Sequence, residues 1–284
     1  MKKSLLRPFV LRGVIALIAF AAQAAHAGPI AFVYNTAGTT TAANFQSFLN
    51  SRGYPTTLFD ASGITATTDF SAFDTIIIGD ETGYLNEWAG STAPAASILQ
   101  VGVIDGSGKP IVGIGEGGYA FFSKLGQPNG WPHGWHGQQS GTIAVNPADP
   151  LFSTPNPVSL DASNAVQLFT SDTNAVGIYG LDAFVMASTL ELLGREQAPA
   201  GNADHYDLSY AANRYFLWGF SDDPTKMTAA GKDLFENVIA RTCVSVTGQP
   251  QCSPPGPIAP APASLYLLAT GLAGVAARRG RKKG

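Results

Sequence analysis

Residues 111–118 read Ile-Val-Gly-Ile-Gly-Glu-Gly-Gly (IVGIGEGG), and the fold of this 284-residue chain turns on them. Ile111, Val112 and Ile114 make a short apolar run of the kind that lies buried on both faces in a parallel sheet. Gly115, Gly117 and Gly118 then crowd the bend, and Tyr119-Ala120-Phe121-Phe122 resumes a helix-compatible apolar pattern. A strand that turns straight into a helix through glycines needs positive φ or close backbone contact at the bend. Turns of this shape hold the nucleophile in hydrolase folds. Here no Ser, Thr or Cys stands between Ile111 and Gly118, so the shape of a reactive elbow is present without a reactive side chain.

Outward from that turn, strand and helix patterns alternate. Ile30–Tyr34 is an apolar strand, and Phe45, Phe48 and Leu49 recur at helical spacing before a stop at Gly53. Thr56–Asp60 follows as a second strand, and 74–79, with Thr75 and three isoleucines in a row, as a third buried on both faces. Ala95, Ile98, Leu99, Gly102 and Val103 mark the next helix, and Pro110–Ile114 the fourth strand. This alternation predicts a three-layer, doubly wound, mostly parallel α/β sheet of flavodoxin-like type. Short candidates at Gly141–Val145, Ala165–Phe169 and Thr189–Leu193 predict mixed or antiparallel additions. Tyr215–Phe220 reads as the last core strand, and Leu234, Phe235, Val238 and Ile239 as the apolar stripe of a closing helix. There is no internal repeat, and 28–245 is one domain's worth of chain.

Both ends are legible. Lys2, Lys3, Arg7 and Arg12 precede the apolar run Gly13–Ala22, and Ala25-His26-Ala27 offers a cleavage site before Gly28, so 1–27 reads as an export signal. Residues 246–262 form a Pro-rich linker, Ala263–Ala277 an uncharged apolar segment, and Arg278, Arg279, Arg281, Lys282 and Lys283 a basic end that orients to the cytoplasm. The stretch Pro260-Ala261-Pro262-Ala263-Ser264-Leu265, with Gly271-Leu272-Ala273-Gly274 and Arg278-Arg279, resembles the PEP-CTERM sorting signal, with Ala261 standing where that motif has Glu. The resemblance implies processing by an exosortase after transient insertion of 263–284 as a transmembrane helix in the inner membrane of a Gram-negative bacterium. The destination it implies is the cell surface or a biofilm matrix of exopolysaccharide.

Of the 17 Lys and Arg, four lie in 1–27 and five after Ala277, which leaves 8 against 20 Asp and Glu and a net charge of −12 between the two ends. That excess disfavours nucleic acid and anionic membrane as partners. It leaves a solvated acidic surface, cationic or neutral ligands and divalent cations open; no other cofactor is called for. Cys243 and Cys252 are the only cysteines, and an exported chain predicts a disulfide between them.

The Gly-x-Gly-x-Gly turn 113–117, together with Trp218-Gly219-Phe220-Ser221-Asp222-Asp223-Pro224 and the helix after it, resembles the class I glutamine amidotransferase-like fold. That family has Gly-x-Cys-x-Gly at the elbow and Phe-His-Pro-Glu after the final strand. Carried over, the thiol position falls on Gly115 and the histidine position at about Ser221, so the resemblance implies the shell of that fold without its thiol–imidazole pair.

Ligands of open α/β sheets bind at the carboxyl ends of the strands. The loops expected there hold Asp80, Glu81, Glu116, Tyr119, Asp222 and Asp223. Such carboxylates can hold calcium or sugar hydroxyls, or simply cap turns and helix starts. The stretch Pro128–Gly137 concentrates Trp131, Trp135, His133 and His136. Its indoles can stack on a sugar ring or close a core edge, and its histidines can share a metal with His205. The chain therefore reads as an exported surface or matrix protein with a non-catalytic binding or structural domain. The opposing readings are a hydrolase that uses Glu116 with His133, His136 or His205, and a divalent-metal binder.

Overall fold

The structure, a computed structural model, describes residues 28–89, 94–197 and 204–244. The export segment 1–27, the linker 246–262 with Cys252, and the sorting tail 263–284 with Pro260, Ala261 and Pro262 before it, all lie outside the described residues. No helix among the described residues is long and apolar enough to cross a membrane.

In chain order the elements are β1 (Ile30–Tyr34), α1 (Thr39–Ser51), β2 (Thr56–Asp60), β3 (Thr75–Ile78), β4 (Gly83–Tyr84), β5 (Glu87–Trp88), α2 (Pro94–Gly106), β6 (Ile111–Ile114) and α3 (Gly115–Lys124). The second half adds β7 (Gly134–Gln139), β8 (Gly141–Ala144), β9 (Ala165–Gln167), β10 (Thr173–Tyr179), α4 (Ala183–Met186), β11 (Glu191–Glu196), β12 (His205–Tyr206), β13 (Leu208–Ala211), β14 (Tyr215–Trp218) and α5 (Ala229–Val244). The main sheet runs β2-β1-β3-β6-β14-β13-β11-β8-β9. Its first five strands are parallel and the remaining pairings antiparallel. The parallel half has the doubly wound order, reversing between β1 and β3. A second, antiparallel sheet, β12-β10-β7, packs beside α3.

Side-chain alternation divides the interior. Ile30 and Phe32 of β1, Ile77 of β3, Val112 and Ile114 of β6, and Phe216 and Trp218 of β14 share one core with α1 and α5. Their neighbours Ala31, Val33, Ile76, Ile78, Ile111, Tyr215 and Leu217 share the other with α2, α3 and the small sheet. Both faces of the parallel half are covered, which is why its strands read as unbroken apolar runs.

The sequence pattern assigns no strand to 134–139, 173–179 or 208–211, yet all three are strands. Gly134, Gly137, Gln138, Asn174 and Gly177 dilute the strand signal of β7 and β10, and ladder pairing rather than local preference settles them. The stretch read as a Trp/His loop thus ends in β7. The strand expected at 189–193 lies at Glu191–Glu196, with a bulge between Leu192 and Gly194.

Candidate functional site

Gly115 opens α3 with φ at +48°, the left-handed conformation a side chain disfavours. A Cβ there would stand 2.0 Å from Asp80 Oδ1 and 2.8 Å from Ser221 Oγ. Asp80 Oδ1 accepts a hydrogen bond from the Glu116 backbone N–H at 2.8 Å, and the Ser221 side chain beside the carboxylate favours its ionised form. The corner assigned to a thiol by family resemblance is thus filled by a carboxylate from the loop after β3. The other glycines are required by contact. A Cβ at Gly117 would lie 2.0 Å from the Gly79 carbonyl oxygen, and one at Gly118 2.2 Å from the Gly113 carbonyl carbon. Only bare backbone lets α3 close onto β6 and the β3 loop.

Beside this corner, at the carboxyl ends of the parallel strands, is a cleft of about 380 Å³ lined by Asp80, Glu81, Asp172, Asn174, Ser221 and Asp222, among others. Asp172 and Asn174 come from the start of β10 and were not legible as site residues, because the small sheet that delivers them was not. Asp222 pairs with Lys226 at 2.7 Å, and Asp223 accepts from Thr225 N at 2.7 Å and from Asn44 Nδ2 at 2.7 Å. Those two acids do not cap the closing helix, which starts later, at Ala229. Glu81 lies in the same cleft, its carboxylate packed against Gly38. Burial, reinforced by the charges of Glu81 and Glu116, pushes the Asp80 carboxyl up to about 7 despite its hydrogen bonds.

Glu116 does not line the cleft. Its Oε1 meets His136 Nδ1 at 2.5 Å, and the imidazole has the rings of Tyr84, Tyr119 and Trp131 around it at 6.2, 5.8 and 5.8 Å. Glu116→Gln is expected to lower stability by about 1 kcal/mol, since the pair joins α3 to β7 but is partly exposed to solvent. The check is a fall of ~2–4 °C in the thermal midpoint.

The three histidines do not converge. His133 Nδ1 faces Asp182 at 3.1 Å and stacks on Phe184, while His205 Nδ1 faces Glu196 at 3.0 Å and stacks on Trp135. Register shows why His136 and His205 are apart. His136 pairs with Val176 and His205 with Tyr179, and residues of opposite parity on β10 point to opposite faces of the small sheet. Among the described residues no group of three or more His, Cys, Asp or Glu is placed to hold a metal ion. Trp135 and Tyr119, expected at a ligand, are instead buried at 8% and 0% exposure. Trp135 lies across Gly177, where a Cβ would touch its Nε1. Trp131 is half-buried against Tyr119.

A second buried acid has no counterpart in the sequence reading. Asp207, fully enclosed where the chain passes from the small sheet to the main one, accepts from Thr142 Oγ1 at 2.6 Å and Gln139 Nε2 at 2.7 Å. Burial, with Glu196 nearby, pushes its carboxyl up to about 7 as well. Both acids bind a proton more tightly folded than unfolded, where a free Asp titrates near ~3.9. Their stabilising contribution is therefore full below about pH 4 and lost as pH rises through about 7. Thermal melts between pH 4.5 and 8.5 are expected to show this decline, and Asp80→Asn to shrink it and raise the midpoint at pH 8. Cys243, at the end of α5, is buried with Sγ 3.1 Å from Thr75 Oγ1, and it is not a free thiol.

No protein-family model matches this chain, and no curated protein matches it. Solved structures do. One is a provisionally assigned GMP synthase protein from Thermoplasma acidophilum, 16% identical, covering 78% of this chain and 96% of that one, with a TM-score of 0.48. Another is the glutaminase domain of CTPS from Trypanosoma brucei with bound acivicin, 10% identical over 80% of this chain and 98% of that one, with a TM-score of 0.44. A glutamine amidotransferase from Methylobacillus flagellatus is 10% identical over 83% and 84%, with a TM-score of 0.42. At such values the likeness is one of chain trace, and no chemistry is carried over from it.

Proposed function

We propose that this chain is an exported, exosortase-sorted protein of the cell surface or extracellular matrix. In this reading its amidotransferase-like domain does not hydrolyse glutamine and binds ligand in the acidic cleft at the strand ends. One observation carries it: Gly115 presents no side chain at the elbow, and the Asp80 carboxylate fills the corner a thiol would need. The signal at 1–27 and the tail at 263–284 support export and sorting. The acid-lined cleft suits amine- or hydroxyl-rich material, exopolysaccharide included, and a Cys243–Cys252 disulfide would close the domain in an oxidising compartment. The purified protein is expected to release no ammonia from glutamine; steady release abolished by an elbow substitution overturns the reading. Sorting is tested separately, by the mass of the mature chain in a host with and without exosortase. A second reading, hydrolysis through Glu116 and His136, is favoured by their 2.5 Å contact and predicts a hydrolysis that Glu116→Gln abolishes.

A further inference from the structure

The elbow carries no nucleophile of its own, but it is not chemically bare. We infer that Ser221 is the nucleophile of a repopulated elbow and Asp80 its general base, acting on esters or amides that carry amino or hydroxyl groups. The inference goes beyond the binding role proposed above: it uses the same cleft but does not depend on export.

Placement is the first argument. Ser221 Oγ lies 2.8 Å from where a Cβ of residue 115 would be, so a hydroxyl arriving from the end of β14 stands at the corner that a side chain on the elbow itself would occupy. The second is pairing. The Ser221 hydroxyl stands at the same corner as the Asp80 carboxylate and favours its ionised form, the Glu116 N–H holds that carboxylate from α3, and Ser221 N donates to the Asn174 carbonyl at 3.0 Å. The carboxylate beside the hydroxyl is thus itself oriented by a third group, the Glu116 N–H, which is the order of an activated nucleophile. The third is access, because both side chains line the 380 Å³ cleft. An ordinary carboxylate is a poor base for a hydroxyl, but Asp80 titrates near 7, in the range where general bases work at neutral pH. The charged groups around it are Glu81 on its own loop, Glu116 on α3, Asp172 before β10, and Asp222, Asp223 and Lys226 after β14. The positive end of the α3 dipole begins at Gly115 and would stabilise negative charge building on a carbonyl attacked at this corner.

The step balances with water as the only co-reactant. Ser221 Oγ bonds the carbonyl carbon while its proton passes to Asp80. The tetrahedral centre expels an amine or alcohol, which leaves with that proton. Water, deprotonated by Asp80, then attacks the acyl carbon, and Oγ departs with the proton.

A fluorophosphonate tests this without knowledge of the substrate, since Oγ attack on phosphorus expels fluoride and leaves a stable adduct. With the full-length protein, the adduct is expected on the tryptic peptide Tyr215–Lys226, at a rate rising about tenfold from pH 6 to pH 8 as a base near 7 ionises. Ser221→Ala removes it, and Asp80→Asn, which keeps an oxygen for the Glu116 N–H, slows it ~100-fold. No adduct on that peptide, or a rate that lacks either the pH rise or the Asp80 dependence, overturns the inference. The pH profile needs no variant, so a folding defect does not shield it. Ammonia release from glutamine would sink the proposed function while leaving this result to stand or fall alone.

Discussion

Gly115→Cys is expected to destabilise the protein by about 2–4 kcal/mol and to produce no glutaminase. The substitution restores the side chain that the resembled family has at this position, so it is a direct test of whether the elbow is merely unoccupied. At φ +48° a Cβ costs about 1–2 kcal/mol by itself. It would also stand 2.0 Å from Asp80 Oδ1, so the carboxylate must leave the Glu116 N–H and the Ser221 hydroxyl, or the backbone must shift. Urea denaturation of the variant reads the first effect, and ammonia release from glutamine the second. A variant as stable as the parent would mean that Asp80 does not hold the corner.

Phe235→Ala is expected to cost about 3–5 kcal/mol, the range for removing a fully enclosed aromatic side chain. Its ring, with no exposed area, sits at 5.3 Å from Phe45, 6.3 Å from Phe48 and 5.2 Å from Trp218. It therefore joins α5 to α1 and to β14 at once. The empty space cannot be reclaimed by one neighbour, because the contacts come from both α1 and β14. The midpoint of urea denaturation should fall with an unchanged slope; a loss under 1 kcal/mol would mean that the α1–α5 layer repacks.

The parallel half of the fold was legible because its signals are local. Ile76, Ile77 and Ile78 announce a strand covered on both faces, and the Phe45, Phe48 and Leu49 spacing announces the helix against it. The antiparallel half was not, because β7 and β10 hold glycine, asparagine and glutamine and become strands only by pairing with each other. The candidate site divides in the same way. Asp80, Glu81 and Asp222 do line one cleft, as strand-end loops are expected to. Tyr119 and Trp135 are taken into the interior, and His136 and His205 are parted by strand parity.

By itself the amino-acid order determined the alternation of strands and helices and the glycine turn, since run length, helical spacing and the need for positive φ act within a few residues. It also determined that no thiol, hydroxyl or imidazole belongs to that turn. Only the tertiary structure decided what stands there instead. Asp80 and Ser221 come from the ends of β3 and β14, strands far apart in sequence that both flank β6, and pairing across the sheet, which local pattern does not encode, brings their side chains to one corner.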